Sequence, residues 1–598
     1  MRAVSLFLLS LVACGSPPVE PAVAPLPLPQ PVATTKPVAS AQREVDVPIP
    51  EDLSFMVRVA DMDRLKGEVF GAFPQLAALV GVGQDLEALL ALAVGRDAAT
   101  VIDTSYGMDV ASMKNDRYVI VSFGARADAE AKLAELVEGT DDRGVVTLKQ
   151  RSGRGAFKHC ALVPATKPSM RLLCSDEAAA LETASAYLSR AVPAELLDAD
   201  IRLTVTKNVL RSKSKRGTGV IESLMNAFEK EMDRIDVDLK IKNDLEIAAT
   251  LRLSTRTSAL ARAVVPSTKP TITPAAFYRL PKDTVFALHF AGETGDDLKP
   301  LREALATDFV TAVKGDGYGD DASRAFADQA AQLFLTGGPL VFASGIGATG
   351  LSGVEKAFAD VKDPSNEKLE AKALATLVPW SLGWVDEPAT KWTTGIKQMV
   401  KIAEEAEKTR NKKQAQAAPP KDPDGTHTTL RLAPKVDAKW RLPEGSLEVL
   451  VDRTPRADKS KTKTSRLFVV PKGNATWFGY GEDGGLVAER LRFVLDDKQT
   501  KGTLADVPEA AALRAKPTLA AATLQPLGAM FGLENASSYR IRRTLETAAK
   551  TSSKGHDVLA FTASSEVSPT DPHRAQLKLV TVIPRRAFVD VVNAALGP

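Results

Sequence analysis

Two cysteines, Cys160 and Cys174, have the most specific spacing for chemistry in this chain. They flank a turn-like segment, 165–169, between two stretches with the composition of β-strands. If the hairpin is symmetric about Lys167, the two cysteines are directly opposed, with Cβ atoms about 4.5–5.5 Å apart, which is near disulfide reach. Outside the cytoplasm such a pair can be oxidised and stay so. We therefore predict a disulfide, with two buried apolar thiols as the alternative.

Other residues with catalytic or metal-binding chemistry show no recognisable spacing. The five histidines lack the H-x-x-x-H and H-E-x-x-H patterns of zinc hydrolases. The acidic segment with Asp316, Asp320 and Asp321 lacks the ligand register of a calcium loop, and a glycine-rich surface loop is favoured. No P-loop and no G-x-S-x-G motif occurs. We name no catalytic residue, metal ligand or cofactor.

One glycine motif, Gly345-Ile-Gly347-Ala-Thr-Gly350, fits the G-x-G-x-x-G pattern between a predicted strand and a predicted helix. Dinucleotide binding needs that context. However, no second parallel β-α unit follows, and the corresponding place in the first half of the chain lacks the glycines. A tight strand-to-helix turn is the favoured interpretation and a cofactor loop the alternative.

Two further groups suggest binding surfaces. The strongest basic cluster contains Lys207, Arg211, Lys213, Lys215 and Arg216. It could contact anionic lipid head groups or an acidic polysaccharide, although a solvated loop is favoured. The tryptophans Trp380, Trp384 and Trp392 could line a carbohydrate or peptide groove, but such residues are more often core or interface anchors.

The amino terminus begins with a basic residue, Arg2, and an apolar run over 3–13 that is too short to span a bilayer. The run ends in Leu11-Val12-Ala13-Cys14. This segment resembles the lipobox of bacterial lipoproteins. The resemblance implies a signal peptide over 1–13, acylation of Cys14, and a mature chain that begins at Cys14. An ordinary signal peptide that is cleaved elsewhere is the alternative.

The residue after Cys14 is Gly15 rather than Asp. By the sorting pattern of enteric-type lipoproteins, this implies the outer membrane, with the body in the periplasm or at the cell surface. Residues 15–50 contain ten prolines, which exclude helix and sheet. We interpret 14–50 as the lipidated cysteine and a disordered spacer, with a docking ligand for an aromatic groove as the alternative.

Composition excludes several classes of protein. With 44% apolar and 25% charged residues, the chain is neither wholly disordered nor collagen-like, and it is not a polytopic membrane protein. A net charge of +3, from 77 basic and 74 acidic residues, gives no reason to expect a nucleic-acid partner.

The body is predicted to use one architecture twice, because strand-like segments recur in the same order in both halves. The matched segments are 52–59 with 283–290, 118–123 with 339–344, and 171–176 with 475–480. We predict an α+β fold with two related halves, 51–265 and 282–598, joined by a proline-rich segment at 266–281. Chance similarity between two ordinary α+β domains is the alternative.

Each half is expected to end in alternating strands, which suit a sheet with one wet face. In the first half, strands at 201–205 and 244–253 flank a predicted helix near 221–232. The second half is expected to carry an insertion near 397–466, with a charged helix at 397–413 and polar loops at 414–425 and 456–466.

These observations lead to a functional expectation. We expect a membrane-anchored lipoprotein with a non-catalytic binding or scaffolding role, held to the bilayer through Cys14 and contacting an envelope protein or polysaccharide. The alternatives are an envelope hydrolase or modifying enzyme with an unrecognised site, and a receptor that binds a small ligand between the halves.

Overall fold

A computed structural model describes the ranges 47–64, 93–113, 117–149, 157–195, 197–209, 232–241, 244–253, 272–290, 320–334, 339–361, 367–414, 426–455, 459–515, 518–533, 557–567 and 575–584, with a few single residues and pairs between them. The chain divides into two compact units. The N-terminal unit comprises the described residues within Ala22–Ser214 and Met232–Arg252, and the C-terminal unit those within Leu253–Pro598. The predicted signal peptide, Cys14 and nearly all of the proline-rich spacer lie outside the described residues.

The N-terminal unit is an antiparallel sheet with helices on its faces. Its described strands are β1 Leu53–Val59, β2 Met108–Met113, β3 Tyr118–Gly124, β4 Val137–Thr140, β5 Val146–Leu148, β6 His159–Pro164, β7 Met170–Ser175, β8 Ile201–Thr206, β9 Met232–Ile241 and β10 Leu245–Leu253. Neighbouring strands follow the order β10-β9-β8-β1-β2-β3-β7-β6-β5-β4.

The two faces of this sheet have separate cores. The helices whose bounds are described are α1 Arg96–Ala99, α2 Ala129–Lys132, α3 Ala178–Ala186 and α4 Val192–Ala194, and a π-helical turn, Tyr187–Ala191, joins α3 to α4. The continuous helical segment 178–194 packs Ala184, Leu188 and Val192 on Met56 and Leu173 of one face. The opposite face buries Phe123, Leu162 and Leu172 against residues of α1 and α2.

The C-terminal unit is also an antiparallel sheet. Its described strands are β11 Phe286–Phe290, β12 Leu340–Ile346, β13 Pro379–Val385, β14 Thr426–Leu432, β15 Leu447–Pro455, β16 Lys463–Lys472, β17 Ala475–Gly481, β18 Ala520–Leu524, β19 Leu559–Val567 and β20 Ala575–Ile583. Their order is β20-β19-β18-β11-β12-β13-β17-β16-β15-β14. The ten described strands of this sheet thus follow the same order, position by position, as the ten described strands of the N-terminal unit.

Helices cover both faces of this second sheet. They are α5 Ala275–Tyr278, α6 Asp320–Phe334, α7 Gly350–Ala359, α8 Glu367–Leu374, α9 Ala389–Gln414, α10 Gly484–Leu495, α11 Pro508–Ala511 and α12 Pro526–Leu533. Helix α10, which follows β17, packs Val487 and Leu491 on Trp380, Leu382 and Trp477. The long helix α9 and α6 cover the opposite face. Helices on largely antiparallel sheets make the fold α+β, as predicted.

The strand order corrects one of the correspondences drawn from sequence. In the N-terminal sheet β2 lies between β1 and β3, just as β12 lies between β11 and β13 in the C-terminal sheet. By position, β3 (118–124) therefore corresponds to β13 and not to β12, with which it was matched from the sequence. The pairs β1 with β11 and β7 with β17 agree with the sequence comparison. Strand β2 was missed because its six residues include Asp109 and two serine or alanine positions that weaken the apolar pattern.

Two other expectations change. The predicted helix near 221–232 lies outside the described residues except for Met232, which begins strand β9, and that strand was not predicted. The segment 397–466 contains the predicted charged helix, but it also holds β14 and β15 and the start of β16. These strands occupy the positions of β4, β5 and β6, so much of the expected insertion belongs to the common architecture. Lys463–Arg466, expected in a polar loop, pair with β15 instead.

Candidate functional site: a buried ionic face

A row of polar residues crosses five neighbouring strands of the N-terminal unit. The strand register places the members directly opposite one another, in the order Asp238, Arg202, Arg58, Asp109 and Ser122. They share the sheet face of Met56 and Leu173, because strand residues two apart point the same way. This row lies on the face that the helical segment 178–194 covers.

In this part of the sheet the polar side chains are buried, although the polar face was expected to be exposed to water. In β8 the polar residues Arg202, Thr204 and Thr206 are buried, whereas the apolar residues between them are only half-buried. Asp236 of β9 is 1% exposed. Alternation therefore identified the two faces of β8 correctly, but the face that it assigned to solvent is covered.

At the centre of the row, two arginines share one carboxylate. Arg58 Nε donates to Asp109 Oδ1 at 3.3 Å, and Arg171 Nη2 donates to Asp109 Oδ2 at 2.6 Å. The side chains of all three residues are at most 8% exposed. Arg58 also donates to the carboxylate and the carbonyl of Glu195, the residue that follows α4. Removing two charges from water is expensive, so these mutual contacts are required for the face to be buried at all.

A second group extends the ionic face toward the edge of the sheet. Arg202 makes a bidentate pair with Asp238, at 2.5 and 2.9 Å, and a third bond to Glu195 at 2.9 Å. Asp236 accepts from Arg234 at 3.0 Å, from Arg252 at 2.7 Å and from the Thr204 hydroxyl at 2.8 Å. Together with the central trio, five arginines and four carboxylates form one connected network.

The surroundings shift several pKa values in this network. Burial opposes the charge of Asp236, but Arg234 and Arg252 bring the pKa of its carboxyl below the ordinary value. Burial also opposes the charge of Arg202, yet Asp238 and Glu195 raise the pKa of Arg202. For Arg171 burial prevails and, with nearby Arg58, lowers the pKa. The phenol of Tyr187, in the π-helical turn, has its pKa raised to about 12 by burial.

These shifts indicate what the network can do chemically. The pKa of Arg202 is raised and that of the Asp236 carboxyl is lowered, so these two groups stay charged near neutral pH and are not suited to proton transfer. Fixed charges of this kind hold strands in register and can attract an ion of opposite charge. The network is thus suited to structural or binding roles.

Sequence reasoning named none of these residues. Arg58, Asp109 and Arg171 are separated by 51 and 62 positions, and each taken singly is a normal polar residue in an alternating strand. One feature of the sequence could have indicated a buried charge: Arg58 lies in the otherwise mostly apolar strand LSFMVRV.

The predicted cysteine pair is present at disulfide distance. Cys160 of β6 and Cys174 of β7 are directly opposed in register, and their sulfur atoms are 2.08 Å apart. Both belong to the core on the sheet face opposite the ionic row. The hairpin turns at Lys167–Pro168, the position about which the prediction assumed symmetry.

The glycine-rich turn of the C-terminal unit is filled by the protein's own side chains. Arg490 of α10 donates to the Ala348 carbonyl at 2.7 Å and pairs with Asp283 at 2.5 Å. The Trp380 indole donates to the Gly347 carbonyl at 3.1 Å, and a Cβ added at Gly345 would come within 2.2 Å of the same indole.

Gly347 has a φ of 58°, which favours glycine. Both neighbours of β12 are antiparallel to it. Close packing and turn geometry therefore account for the motif, without the parallel β-α unit that dinucleotide binding needs.

The other predicted residues fall mostly in the core. Trp380 and Trp392 are buried and Trp384 is half-buried, as expected for core anchors. His289 is fully buried, its Nδ1 lies 3.3 Å from the Leu340 carbonyl, and burial lowers its pKa to about 4.

Asp320 and Asp321 begin helix α6, whereas Asp316 lies outside the described residues.

Of the basic cluster, only Lys207 is described, and it is half-buried. Arg211, Lys213, Lys215 and Arg216 lie outside the described residues, as does Cys14. Within the described ranges, no three His, Cys, Asp or Glu side chains are placed to hold a metal ion. The same residues include no helix that is long and apolar enough to cross a membrane.

A surface groove lies on the described part of the C-terminal unit. It has a volume of about 230 Å³ and lies between α9 and β14, the last strand of that sheet. Its walls are Ala403, Glu404, Glu407 and Lys408 of the helix and Thr428, Thr429, Leu430 and Arg431 of the strand. Charged groups thus surround a small apolar floor.

Compared with protein-family models, with curated proteins and with solved structures, the chain matches none of them.

Proposed function

We propose that this protein is a membrane-tethered envelope lipoprotein with a non-catalytic binding or scaffolding role. The observation that carries the proposal is the Cys160–Cys174 pair, directly opposed on neighbouring strands. Such bonds persist in oxidising compartments and are rare in the cytosol. Export agrees with the signal-like segment 1–13 and the lipobox that ends in Cys14. Gly15 favours the outer membrane as the destination.

Metabolic labelling with an alkyne analogue of palmitate tests the tether. We expect the wild-type protein to be labelled and to sediment with membranes, and Cys14→Ser to lose both properties. The double variant Cys160→Ala/Cys174→Ala is the control, because it removes the other two cysteines and keeps the acylated one. A mature amino terminus other than an acylated Cys14, found by mass spectrometry, would refute the tether.

The non-catalytic part of the proposal is supported by how the buried charges are used. Arg58 and Asp109 in one unit, and Arg490 and Asp283 in the other, are paired with each other within the protein rather than presented to a substrate. The groove between α9 and β14 offers a surface for a binding role, because a terminal strand can pair with an added strand.

Photo-crosslinking in intact cells tests the binding role at this groove. A photo-reactive amino acid at position 428 faces the groove, and the same residue at Thr140, on the terminal strand of the N-terminal sheet, is the control. We expect a discrete crosslinked band of one envelope protein from position 428 and none from position 140. Equal crosslinking from both positions would contradict a specific role for the groove.

We also propose that the two units are related copies of one ten-stranded architecture. The shared strand order and the placement of a helix after the seventh strand of each unit support this proposal. Matched deletions of α3 and α10 should therefore expose equivalent sheet faces to hydrogen exchange.

A further inference from the structure

The sheet of the C-terminal unit ends in a strand that has a described neighbour on one side only. Among the described strands, β14 pairs with β15 alone, and its seven residues continue that pairing without a bulge. The corresponding terminal strand of the N-terminal unit, β4, has four residues and an irregular register between Val137 and Gly139. Short or irregular edges discourage pairing with another chain, so β14 is the edge that is suited to such pairing.

The register shows which backbone groups of β14 point away from β15. The amide of Ala433, directly after the strand, donates to the Glu448 carbonyl at 3.0 Å. In an antiparallel pair, successive residues alternate between bonding to the neighbouring strand and pointing away from it. The amide and carbonyl groups of Thr428, Leu430 and Leu432 therefore point outward. No backbone hydrogen bond from another described residue reaches them.

These outward groups lie at the groove between α9 and β14. Thr428 and Leu430 belong to its strand wall, and Leu430 and Leu432 pack in the same apolar cluster as Ala403 of the helix. The groove leaves about 230 Å³ between the strand and the helix. A segment that pairs with the outward groups would therefore place alternate side chains in this space.

The charges of the groove indicate the composition of such a segment. Glu404 and Glu407 of the helix wall are half-buried, whereas Lys408 is exposed. On the strand wall, the charge of Arg431 is balanced by Asp452, at 2.6 Å. The walls thus have a net negative charge, which a lysine or arginine of the added segment would complement.

The adjacent segment of the chain itself has a sequence that is unsuited to this position. Residues 415–425, which connect α9 to β14, include Pro419, Pro420 and Pro423. Proline has no amide hydrogen to donate to a neighbouring strand. A segment supplied by another molecule fits the edge better.

We propose that an extended segment of another envelope protein, with lysine or arginine among its alternate residues, adds to the C-terminal sheet as a strand beside β14. This inference rests on the binding role proposed for the groove and specifies how the partner is held. Outward backbone groups of β14 supply the hydrogen bonds that give affinity. Glu404 and Glu407 select the basic side chains.

Photo-crosslinking in intact cells from position 428, combined with a substitution at Leu430, tests the pairing. Leu430→Pro removes an outward amide, a change that edge strands tolerate. Leu430→Val is the matched control, because it also shortens the side chain but keeps the amide. We expect the crosslink to persist in Leu430→Val and to fall roughly tenfold in Leu430→Pro, since a backbone hydrogen bond is lost and the proline ring occupies its place.

A charge reversal on the helix tests the composition of the segment without changing the strand. Glu404→Lys should lower crosslinking from position 428 roughly tenfold, because it places a cation opposite the basic side chains. Glu405→Lys is the control, since Glu405 is on the same helix and its side chain is 64% exposed. Equal crosslinking in these two variants would overturn the selection of basic residues.

The remaining outcomes separate strand addition from the binding role on which it rests. Equal crosslinking in Leu430→Pro and Leu430→Val would overturn strand addition and leave the binding role intact. A product with twice the mass of the chain, or a crosslink to residues 415–425, would identify a second copy or the chain itself as the occupant and overturn the proposal. Absence of any crosslink from position 428 alone would overturn the binding role as well.

Discussion

The sheet face beneath the helix after the seventh strand carries a row of ionic residues in the N-terminal unit and a mostly uncharged row in the C-terminal unit. When β1 is matched to β11 by their similar sequences, Arg58 corresponds to His289. The row across the second sheet then contains Thr562, Ala521, His289, Val341 and Trp384. The first sheet has Asp238, Arg202, Arg58, Asp109 and Ser122 in these positions.

This difference shows that the strand order does not depend on the chemistry of one face. In the C-terminal unit, Val341 and Trp384 contribute to burial of apolar surface, at about 25 cal/mol per Å². In the N-terminal unit the same positions must be satisfied by mutual ion pairs, since unpaired buried charges are strongly destabilising. The ionic face is consequently more sensitive to the loss of a single partner.

All five tryptophans of the chain lie in the C-terminal unit, at positions 380, 384, 392, 440 and 477. Tryptophan fluorescence therefore follows unfolding of that unit alone. Hydrogen exchange of peptides from 108–124 and 170–175 follows the N-terminal unit. The two units can thus be compared within one full-length protein.

The largest effect is expected from Asp109→Asn. This substitution leaves Arg58 and Arg171 buried without their shared carboxylate, which should cost the N-terminal unit about 3–5 kcal/mol. Urea titration with hydrogen exchange should show early unfolding of β2 and β3, while the tryptophan transition stays in place. Asp128→Asn, at an exposed ion pair of the same unit, is the control. Equal shifts for both variants would show that the ionic face has no special energetic role.

Removing the disulfide should be the next largest effect. The bond closes a loop of 14 residues, for which chain entropy predicts a loss of about 3 kcal/mol upon reduction. Only the N-terminal unit should be destabilised, and reductant should have no further effect on the Cys160→Ala/Cys174→Ala variant. A shift of the tryptophan transition upon reduction would contradict the assignment of the bond to one unit.

The contrast between the disulfide and the ionic face also explains what the sequence could predict. Cys160 and Cys174 are joined by a short hairpin, so local symmetry was enough to place them opposite each other. Arg58 and Arg171 come from strands that are distant in sequence, and their proximity depends on the order β1-β2-β3-β7. Alternation in β8 identified which residues share a face, but not that a helix covers the polar one.

The fold class and many strands were predictable for the same reason, since both depend on local periodicity. Strand β9 was not predicted, and its residues Arg234, Asp236 and Asp238 interrupt the apolar pattern that would have indicated a buried strand. Charged residues can be buried in this sheet because they have partners; Asp236, for example, accepts hydrogen bonds from Arg252 and Thr204. These partners come close only in the folded unit.

Mild acid should affect the C-terminal unit rather than the N-terminal one. The folded-state pKa of His289 is about 4, below the ordinary 6.5, so the unfolded state binds the proton more readily. Stability is fully present above pH 6.5 and decreases as the pH falls toward 4, by about 2 kcal/mol at pH 5.

The carboxyl of Asp236 has a lowered pKa, so its contribution is retained above pH 4 and lost only in stronger acid. Between pH 7 and pH 5 the tryptophan transition should therefore move to lower urea, and His289→Leu should suppress this change. His159→Asn, in the N-terminal unit, serves as the control. A pH-independent tryptophan transition in the wild type would contradict the buried, neutral state of His289.

The smallest effect is expected when one of two arginines that pair with the same carboxylate is removed. Asp236 is held by Arg234 as well as by Arg252, whereas Asp109 is the one carboxylate that Arg171 contacts among the described residues. Arg252→Gln removes one partner whose side chain is 28% exposed, and it should destabilise the N-terminal unit by about 1 kcal/mol. The measurement is again hydrogen exchange in urea, compared with Asp109→Asn. If Arg252→Gln costs as much as Asp109→Asn, the stability of the ionic face depends on total charge rather than on the number of partners that each buried ion has.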